Sequence, residues 1–202
     1  MANPAYIAEN LEKLRQANPL VHNITNFVVM NFTANILLAA GASPVMAHAE
    51  NEVEEMAAFA GSLVLNLGTL SDSWVESMIR AGQKCAELGK PVILDPVGAG
   101  ATTLRTASAK RIIEETSVKI IRGNSSEILS LADDQAKTRG VDAVHGVEQA
   151  AEAAASLAEE LGTTLVITGA VDLVTDGKRM VRVENGHPLM PRVTGTGCAA
   201  TA

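Results

Sequence analysis

Short apolar runs alternate along the chain with longer stretches in which apolar residues recur every three or four positions. The short runs are typical of strands buried on both faces, and the longer stretches predict helices. The predicted strands span residues 44–47, 63–66, 91–95, 119–121 and 164–167, and the predicted helices span residues 5–16, 26–40, 52–60, 73–88, 103–115, 125–131 and 147–161. This order predicts an α/β fold with a mostly parallel central sheet and helices on both faces.

Turn-forming residues support these boundaries. Ser71 or Asp72 is suited to cap the helix that follows. Glycines follow several predicted helices, where a left-handed residue commonly ends a helix: Gly41, Gly61, Gly89 and Gly162. Residues 172–175 and 179–183 flank an Asp-Gly turn and predict a β-hairpin at the edge of the sheet. The polar stretch 132–146 is aperiodic and predicts a solvated loop.

Length and charge restrict the classes of protein that fit. A chain of 202 residues has the size of one domain with a substantial core. Sixteen basic and 23 acidic residues give a net charge of −7 without a basic cluster, which argues against nucleic acid and anionic lipid as partners. No apolar stretch is long enough to cross a membrane. Cys85 and Cys198 lack metal-type spacing, and residues 1–16 lack a signal-peptide core, so we expect a cytoplasmic protein.

Polar residues follow the predicted strands, at the edge where open parallel sheets bind ligands. Asp95 ends one strand, and Glu127 lies in the first turn of the helix that follows the next strand. Two carboxylates in these positions suit Mg²⁺, which is commonly held by one or two carboxylates and substrate phosphates. The alternative is structural, with Asp95 capping a turn and Glu127 complementing a helix dipole.

Arg122 and Thr168 also stand at predicted strand ends. The planar guanidinium of Arg122 is suited to bind phosphate oxygens in pairs, although an ordinary surface arginine would look the same in the sequence. Thr168, followed by Gly169, offers a hydroxyl and backbone N–H groups. A threonine followed by a glycine is, however, common in loops. Both residues are candidates for a phosphate site chiefly because of their position.

A glycine-framed turn at residues 195–198, here called the glycine turn, comprises Gly195, Thr196, Gly197 and Cys198. Its glycines let the backbone approach a ligand, and successive N–H groups at a helix start favour an anion, so the turn predicts an anion hole for a phosphoryl group. The same setting would lower the pKa of Cys198 and give it basic character toward a substrate hydroxyl. A tight loop followed by a small buried cysteine is the structural alternative.

Two residues nearer the N-terminus are candidates for contact with a small ring. Asn26 would hydrogen-bond a heterocycle or cap the following helix, and Met46 would pack on an aromatic ligand or in the core. The chain contains neither the Gly-x4-Gly-Lys-[Ser/Thr] nor the Gly-x-Gly-x-x-Gly pattern, so any ATP is bound by another route.

These candidates lie in segments that closely resemble the hydroxyethylthiazole kinase family of the ribokinase-like superfamily. The matching segments follow the family's order and cover almost the whole chain: residues 19–26, 41–46, 65–69, 91–101, 121–124 with Glu127, 167–169 and 193–198. The resemblance implies a ribokinase-like kinase domain. It also implies transfer of the γ-phosphoryl group of ATP to the hydroxyl of 4-methyl-5-(2-hydroxyethyl)thiazole, in thiamine biosynthesis or salvage.

The resemblance further implies a role for each candidate residue. The implied roles are thiazole contact by Asn26, Met46 and Gly195, nucleotide phosphate binding by Arg122 and Thr168, Mg²⁺ binding by Asp95 and Glu127, and an anion hole at Gly195, Thr196 and Gly197. Cys198 stands where ribokinase relatives carry an aspartate base, and we expect a helpful base rather than an essential nucleophile.

Assembly and extent also follow from the resemblance. Family members form trimers with shared thiazole sites, so Asn26 and Met46 are expected to act across an interface from Cys198. They also continue beyond this cysteine, so residues 1–202 are expected to form one kinase domain that is incomplete at its C-terminus. Three alternatives stay open: a related kinase for another small alcohol, a non-catalytic thiazole- or nucleotide-binding module, and a cysteine hydrolase, for which the sequence places no histidine as base.

Overall fold

The computed structural model describes residues 4–132 and 147–202. The helices are α1 (Pro4–Ala17), α2 (Met30–Ala40), α3 (Val53–Phe59), α4 (Asp72–Glu87), α5 (Thr103–Glu115), α6 (Ser125–Leu129), α7 (Val147–Leu161) and α8 (Thr196–Thr201). The strands are β1 (Leu20–Ile24), β2 (Ser43–Val45), β3 (Ser62–Asn66), β4 (Val92–Asp95), β5 (Val118–Asn124), β6 (Thr164–Thr168), β7 (Asp172–Thr175) and β8 (Met180–Val183). None of the helices in these two ranges combines the length and apolarity that a membrane crossing requires.

The strands of the described residues form one sheet in the order β2-β1-β3-β4-β5-β6-β7-β8. Neighbours from β2 to β6 are parallel, and β7 and β8 add an antiparallel edge. The predicted fold class and the predicted hairpin are therefore confirmed. The chain visits β2 at one edge and then returns to the other side of β1 with β3. Such a reversal opens a crevice at the carboxyl ends of the strands, where open α/β sheets bind ligands.

The core lies between the central strands and the helices that cover them. Leu65, Leu94 and Ile121, from three adjacent strands, are each 0% exposed. Helix α4 begins after Ser71, whose hydroxyl accepts a hydrogen bond from the N–H of Trp74, and it buries one apolar face against these strands. Burying one large apolar side chain stabilises the fold by about 1.5–3 kcal/mol, so this packing fixes the strand ends in space.

The N-terminal region differs from the prediction in two ways. Strand β1 was not predicted, because the polar residues His22 and Asn23 interrupt its apolar pattern, yet both are buried. Helix α2 begins at Met30 rather than at Asn26. The Asn26 side chain instead accepts a hydrogen bond from the N–H of Val28 (3.1 Å) in a turn before the helix, so its interpretation as the helix cap is wrong.

Three of the four predicted helix-ending glycines adopt positive φ, and Gly61 does not. Helix α3 ends at Phe59, and the next residue, Ala60, has extended φ and ψ, so the chain passes into β3 without a left-handed residue. The loop predicted at residues 132–146 lies outside the described residues from position 133 onward.

Candidate active site

The carboxyl ends of β4, β5 and β6 border an open cavity of about 1060 Å³. A cavity of this size accommodates a ligand as large as a nucleotide. It is lined by most of the residues that the sequence singles out: Asp95, Arg122, Glu127, Thr168, Gly195, Thr196, Gly197 and Cys198. The predicted convergence of the strand ends on one rim is therefore present in the structure.

Asp95 is a buried carboxylate at the end of β4, with 3% of its surface exposed. Its Oδ2 accepts hydrogen bonds from Nδ2 of Asn66 (2.9 Å) and from the hydroxyl of Thr201 (3.0 Å). Burial raises the pKa of Asp95 to about 6, with a smaller contribution from Glu127, while the Thr201 hydrogen bond and the charge of Arg122 oppose the shift. The group is thus ionised at neutral pH but binds a proton more readily than an exposed aspartate.

Glu127 connects helix α6 to the loop after β4. Its Oε2 accepts from the N–H of Asn124 (2.8 Å), whose side chain caps the N–H of Glu127 (2.9 Å), so the two residues form a capping box. Its Oε1 accepts from the N–H of Gly98 (2.9 Å). Each carboxylate oxygen has a second lone pair, and Glu127 borders the cavity, so its structural role leaves room for a ligand.

The glycine turn opens helix α8. Gly195 has φ +84°, and a Cβ at this position would lie 2.8 Å from Cγ1 of Val29, so the turn packs closely against the start of α2. The N–H groups of residues 196–198 find no acceptor within the described ranges, as is usual for the first turn of a helix. These donors are available to an anion in the cavity.

Arg122 holds the glycine turn from the side of β5. Its Nη1 donates to the carbonyl oxygen of Gly197 (2.8 Å) and lies 3.5 Å from the hydroxyl oxygen of Thr201. A Cβ on Gly197 would approach this nitrogen to 3.1 Å, which explains why a residue without a side chain suits the position. One edge of the guanidinium thus supports the turn while the side chain borders the cavity.

Two buried asparagines connect the ring candidate Asn26 to Asp95. Oδ1 of Asn66 accepts from Nδ2 of Asn26 (2.7 Å) and from the N–H of Gly68 (3.0 Å). Because a backbone N–H can only donate, the Gly68 contact determines the orientation of the Asn66 amide. Nδ2 of Asn26 also lies 3.7 Å from Sγ of Cys198. The expectation that Asn26 acts across a subunit interface from Cys198 is wrong, because the two side chains meet within one chain.

The thiol of Cys198 has the opposite pKa shift from the one that the sequence predicted. Burial, followed by the charge of Asp95, raises the pKa of Cys198, and hydrogen bonds from Asn66 and Asn26 oppose this only in part. The helix that begins here has only six residues, which limits any favourable effect of its dipole on the thiolate. Cys198 is therefore a protonated thiol at neutral pH.

The two remaining candidates differ in their placement. The hydroxyl of Thr168, at the end of β6, donates to the carbonyl oxygen of Gly123 (3.2 Å), and the residue lines the cavity. Met46 follows the edge strand β2, which is separated from β4 by β1 and β3, and it does not line this cavity. A single chain thus gathers every candidate except Met46 and Asn26 around the cavity, and Asn26 contacts Cys198, which lines it.

Asn66 and Thr201 contact the candidate residues, but sequence reasoning gave them no role. A signal existed for Asn66, which is a polar residue at the carboxyl end of a fully apolar run. None existed for Thr201, because its hydroxyl meets Asp95 across 106 positions of the chain. Only the three-dimensional structure reveals that contact.

Comparisons with known proteins identify the family of the chain. The model of the hydroxyethylthiazole kinase family matches residues 11–202. A hydroxyethylthiazole kinase of Desulfotalea psychrophila is 68% identical over 195 residues, which are 96% of this chain and 71% of that protein. One of Pyrococcus furiosus is 55% identical over 197 residues, which are 97% of this chain and 74% of that protein.

Solved structures give the same result. The structure of a hydroxyethylthiazole kinase protein from Pyrococcus horikoshii superposes with a TM-score of 0.88 at 50% identity, covering 98% of this chain and 74% of that one. Adenosine kinase from Schistosoma mansoni, solved with tubercidin, matches with a TM-score of 0.52 at 14% identity over 89% of this chain and 65% of its own, and shares the fold alone. The chain belongs to the hydroxyethylthiazole kinase family.

Proposed function

We propose that this chain transfers the γ-phosphoryl group of ATP to the hydroxyl of 4-methyl-5-(2-hydroxyethyl)thiazole, a step of thiamine biosynthesis or salvage. The products are the thiazole phosphate and ADP. We place the reaction in the cytoplasm, where the two unpaired cysteines would stay reduced. The single observation that carries the proposal is the meeting of a buried carboxylate, a guanidinium and a turn with unpaired N–H groups at one cavity.

The phosphate groups of ATP would be bound at the side of the cavity formed by β5, β6 and the glycine turn. Nη1 of Arg122 is engaged by Gly197, which orients the guanidinium and leaves its other nitrogens to phosphate oxygens. Thr168 would contribute a hydroxyl from the neighbouring strand. The N–H groups of residues 196–198 would bind the transferring phosphoryl oxygens, where negative charge must be stabilised.

The thiazole alcohol would lie beside Asn26 and Cys198, with Gly195 forming the adjacent backbone. Nδ2 of Asn26 has a fixed orientation because Asn66 accepts one of its hydrogen bonds. The contact of 3.7 Å between Asn26 and Cys198 places an amide next to a thiol. These two groups together would suit a small ring that bears a hydroxyl. The asparagine pair then connects this alcohol side to Asp95.

The donor set fits Mg²⁺ bound together with the nucleotide. Among the residues that the structure describes, no group of three or more His, Cys, Asp or Glu side chains is arranged to hold a metal ion. Asp95 and Glu127 border one cavity, and two carboxylates with phosphates and waters are a usual ligand set for this ion. When bound, the ion would neutralise charge on the phosphates. Asp95 and Glu127 would hold it.

Cys198 would assist the reaction without being essential to it. As the oxygen of the alcohol bonds to phosphorus, the bond between phosphorus and the ADP oxygen would break, and the hydroxyl proton would pass to solvent water. The raised pKa of Cys198 leaves only a minor thiolate fraction to accept that proton. Phosphoryl transfer proceeds mainly through positioning and charge stabilisation, so the thiol would act chiefly as a contact that orients the hydroxyl.

A homotrimer would bring Met46 of a neighbouring subunit to the thiazole. Support comes from exposed apolar side chains in α2 and just before it, since Phe27 and Val28 are 63% and 69% exposed and Leu38 is 59% exposed. Such side chains mark a contact between proteins where they form a continuous patch. Sedimentation velocity is expected to give three times the mass of one chain. A monomer in which Met46→Ala leaves the KM for the thiazole unchanged would contradict the shared site.

The activity is tested by following ADP release from ATP and Mg²⁺ with several alcohols. The test alcohols are 4-methyl-5-(2-hydroxyethyl)thiazole, a hydroxymethylpyrimidine and adenosine. The proposal expects turnover that requires the thiazole alcohol and stops when EDTA removes the metal. Arg80→Lys, on the exposed surface and paired with Glu54, is a matched control that should retain full activity.

The other outcomes of this assay identify the alternatives. Faster turnover of the pyrimidine or of adenosine would indicate a related kinase for another alcohol. Thiazole or ATP binding detected by calorimetry without turnover would indicate a binding module. Ester or thioester hydrolysis that is lost in Cys198→Ala would indicate a cysteine hydrolase.

A further inference from the structure

A half-buried arginine outside the cavity lining contacts two loops of the site at once. Arg105, in α5, donates from Nη1 to the carbonyl oxygens of Leu67 (2.5 Å) and Val97 (2.7 Å). Its Nη2 donates to the carbonyl oxygen of Gly68 (2.7 Å). Leu67 and Gly68 follow β3, whereas Val97 follows β4. One guanidinium therefore joins the loops at the carboxyl ends of two adjacent strands.

The partners of Arg105 distinguish it from an ordinary surface arginine. Within residues 4–132 and 147–202, its hydrogen bonds go to backbone carbonyl oxygens and no carboxylate pairs with it. Arg111, on the same helix, is exposed and forms ion pairs with Glu76 and Glu115. A planar guanidinium has its donors in a fixed arrangement, so the three bonds of Arg105 restrict the relative position of the two loops.

The loop after β3 contacts the alcohol side of the site, which comprises Asn26 and Cys198. The N–H of Gly68 donates to Oδ1 of Asn66 (3.0 Å), the same oxygen that accepts from Asn26. A Cβ on Gly68 would overlap the side-chain amide of Asn26, so these two residues are in close packing. Displacement of Gly68 would therefore displace Asn26.

The loop after β4 contacts the carboxylate side of the site, which comprises Asp95 and Glu127. The N–H of Gly98 donates to Oε1 of Glu127 (2.9 Å), and the N–H of Val97 donates to the carbonyl oxygen of Asp95 (2.9 Å). Gly98 has φ +76°, and a Cβ at this position would lie 2.8 Å from Cδ of Arg105. The arginine thus packs on this loop as well as bonding to it.

We propose that Arg105 is a positioning residue that sets the spacing between the alcohol side and the carboxylate side of the site. Its kinetic consequence rests on the proposed kinase function, whereas its effect on the loops does not. The guanidinium contacts only protein groups in this role and acts through Gly68 and Gly98. A misplacement of about 1 Å in reacting groups can lower a rate about 100-fold. Loss of the guanidinium should therefore lower kcat strongly while the protein remains folded.

The kinetic test compares Arg105→Ala with Arg111→Ala, its exposed counterpart on the same helix. Arg105→Ala is expected to lower kcat about 100-fold while circular dichroism and Tm indicate a folded protein. Added methylguanidinium, at concentrations that do not denature the protein, should restore part of that activity, and methylammonium should not. Arg111→Ala should keep wild-type kcat and show no response. Arg105→Lys keeps the charge without the planar fork, and replaces the alanine variant in this comparison if that variant does not fold.

Hydrogen exchange of the backbone amides provides a readout without turnover. Removal of Arg105 should accelerate exchange at Gly68 and Gly98 and leave the amides of α4 and β5 unchanged. Unchanged exchange at the two loops, or unchanged kcat in an active enzyme, would overturn the proposal. Faster exchange throughout the domain without rescue by methylguanidinium would also overturn it, because that result indicates a general structural role. If the wild type does not phosphorylate the thiazole, the proposed function fails and loop exchange alone decides the role of Arg105.

Discussion

The two halves of the candidate site are attached to the fold in different ways. Asp95 and Glu127 stand directly on β4 and α6, beside core residues such as Leu94 and Ile128 that are 0% exposed. The glycine turn follows a mostly exposed segment, residues 184–194, and begins a helix of six residues. The carboxylate half is therefore fixed by the packed interior, and the turn half depends on a few contacts that reach it from other elements.

Three of those contacts are polar and involve residues far away in the sequence. Arg122 binds the carbonyl oxygen of Gly197, Thr201 donates to Asp95, and Asn26 meets Cys198. The first two contacts connect the turn and helix α8 to β5 and β4, and the third connects the turn to the segment that follows β1. The cavity is therefore assembled from a rigid half, Asp95 and Glu127, and a tethered half, the glycine turn and α8. Single polar substitutions should change activity and stability by different amounts.

Removing the charge from the rigid half should give the largest effect. Asp95→Asn preserves shape and can still accept a hydrogen bond, but it removes the carboxylate from the proposed Mg²⁺ site. We expect kcat/KM to fall about 1000-fold, equivalent to ~4 kcal/mol of transition-state stabilisation, while the protein remains folded. Steady-state kinetics with Tm measurement checks this. A loss of less than tenfold would show that the buried carboxylate is structural.

Removing the main tether should have the next largest effect. Arg122→Lys keeps the charge but cannot bond Gly197 and phosphate oxygens with one planar group. We expect kcat/KM to fall about 100-fold, with a higher KM for ATP. Arg80→Lys serves as the exposed control for the same substitution. An unchanged KM for ATP would indicate that Arg122 supports the turn without contacting the nucleotide.

The second tether is tested by a change of one hydroxyl group. Thr201→Val keeps the volume of a side chain that is 7% exposed but removes the donor to Asp95. We expect unfolding to become easier by about 1 kcal/mol and kcat to fall about tenfold. Thr201→Ser restores a hydroxyl and should recover most of both losses. If Thr201→Val and Thr201→Ser behaved alike in chemical denaturation and kinetics, the hydrogen bond would not be a tether.

The smallest predicted effect concerns pH. Because the pKa of Asp95 is raised to about 6, its carboxylate is protonated as pH falls through that value. The ionised fraction, and with it the apparent affinity for Mg²⁺, should fall about fourfold between pH 7.5 and pH 5.5, as measured by metal titration. The stability of the protein depends on pH in the opposite direction. Because the pKa of Asp95 is higher in the folded protein than in the unfolded chain, protonation favours the folded state. The contribution of Asp95 to the free energy of unfolding therefore grows as pH falls from about 6 to 3.8. A pH-independent Mg²⁺ affinity would remove Asp95 from the metal site.

The positions of the candidate residues in both halves were largely predictable from the sequence, and the contacts between the halves were not. Asp95 and Arg122 follow from apolar runs that end in polar residues, because the ends of parallel strands meet at one edge. Strand β1 was missed because His22 and Asn23 are polar but buried. The thiol pKa of Cys198 was predicted with the wrong sign, since burial and the nearby charge of Asp95 depend on contacts that local sequence does not contain.

The reaction itself is tested most directly by identifying its product. Purified chain is incubated with ATP, Mg²⁺ and 4-methyl-5-(2-hydroxyethyl)thiazole and followed by phosphorus-31 NMR, with Asp95→Asn as the matched control. We expect a new phosphomonoester resonance that grows with ADP in equal amounts and is absent in the control. Unchanged ATP, or ADP formed with inorganic phosphate and no ester, would contradict it.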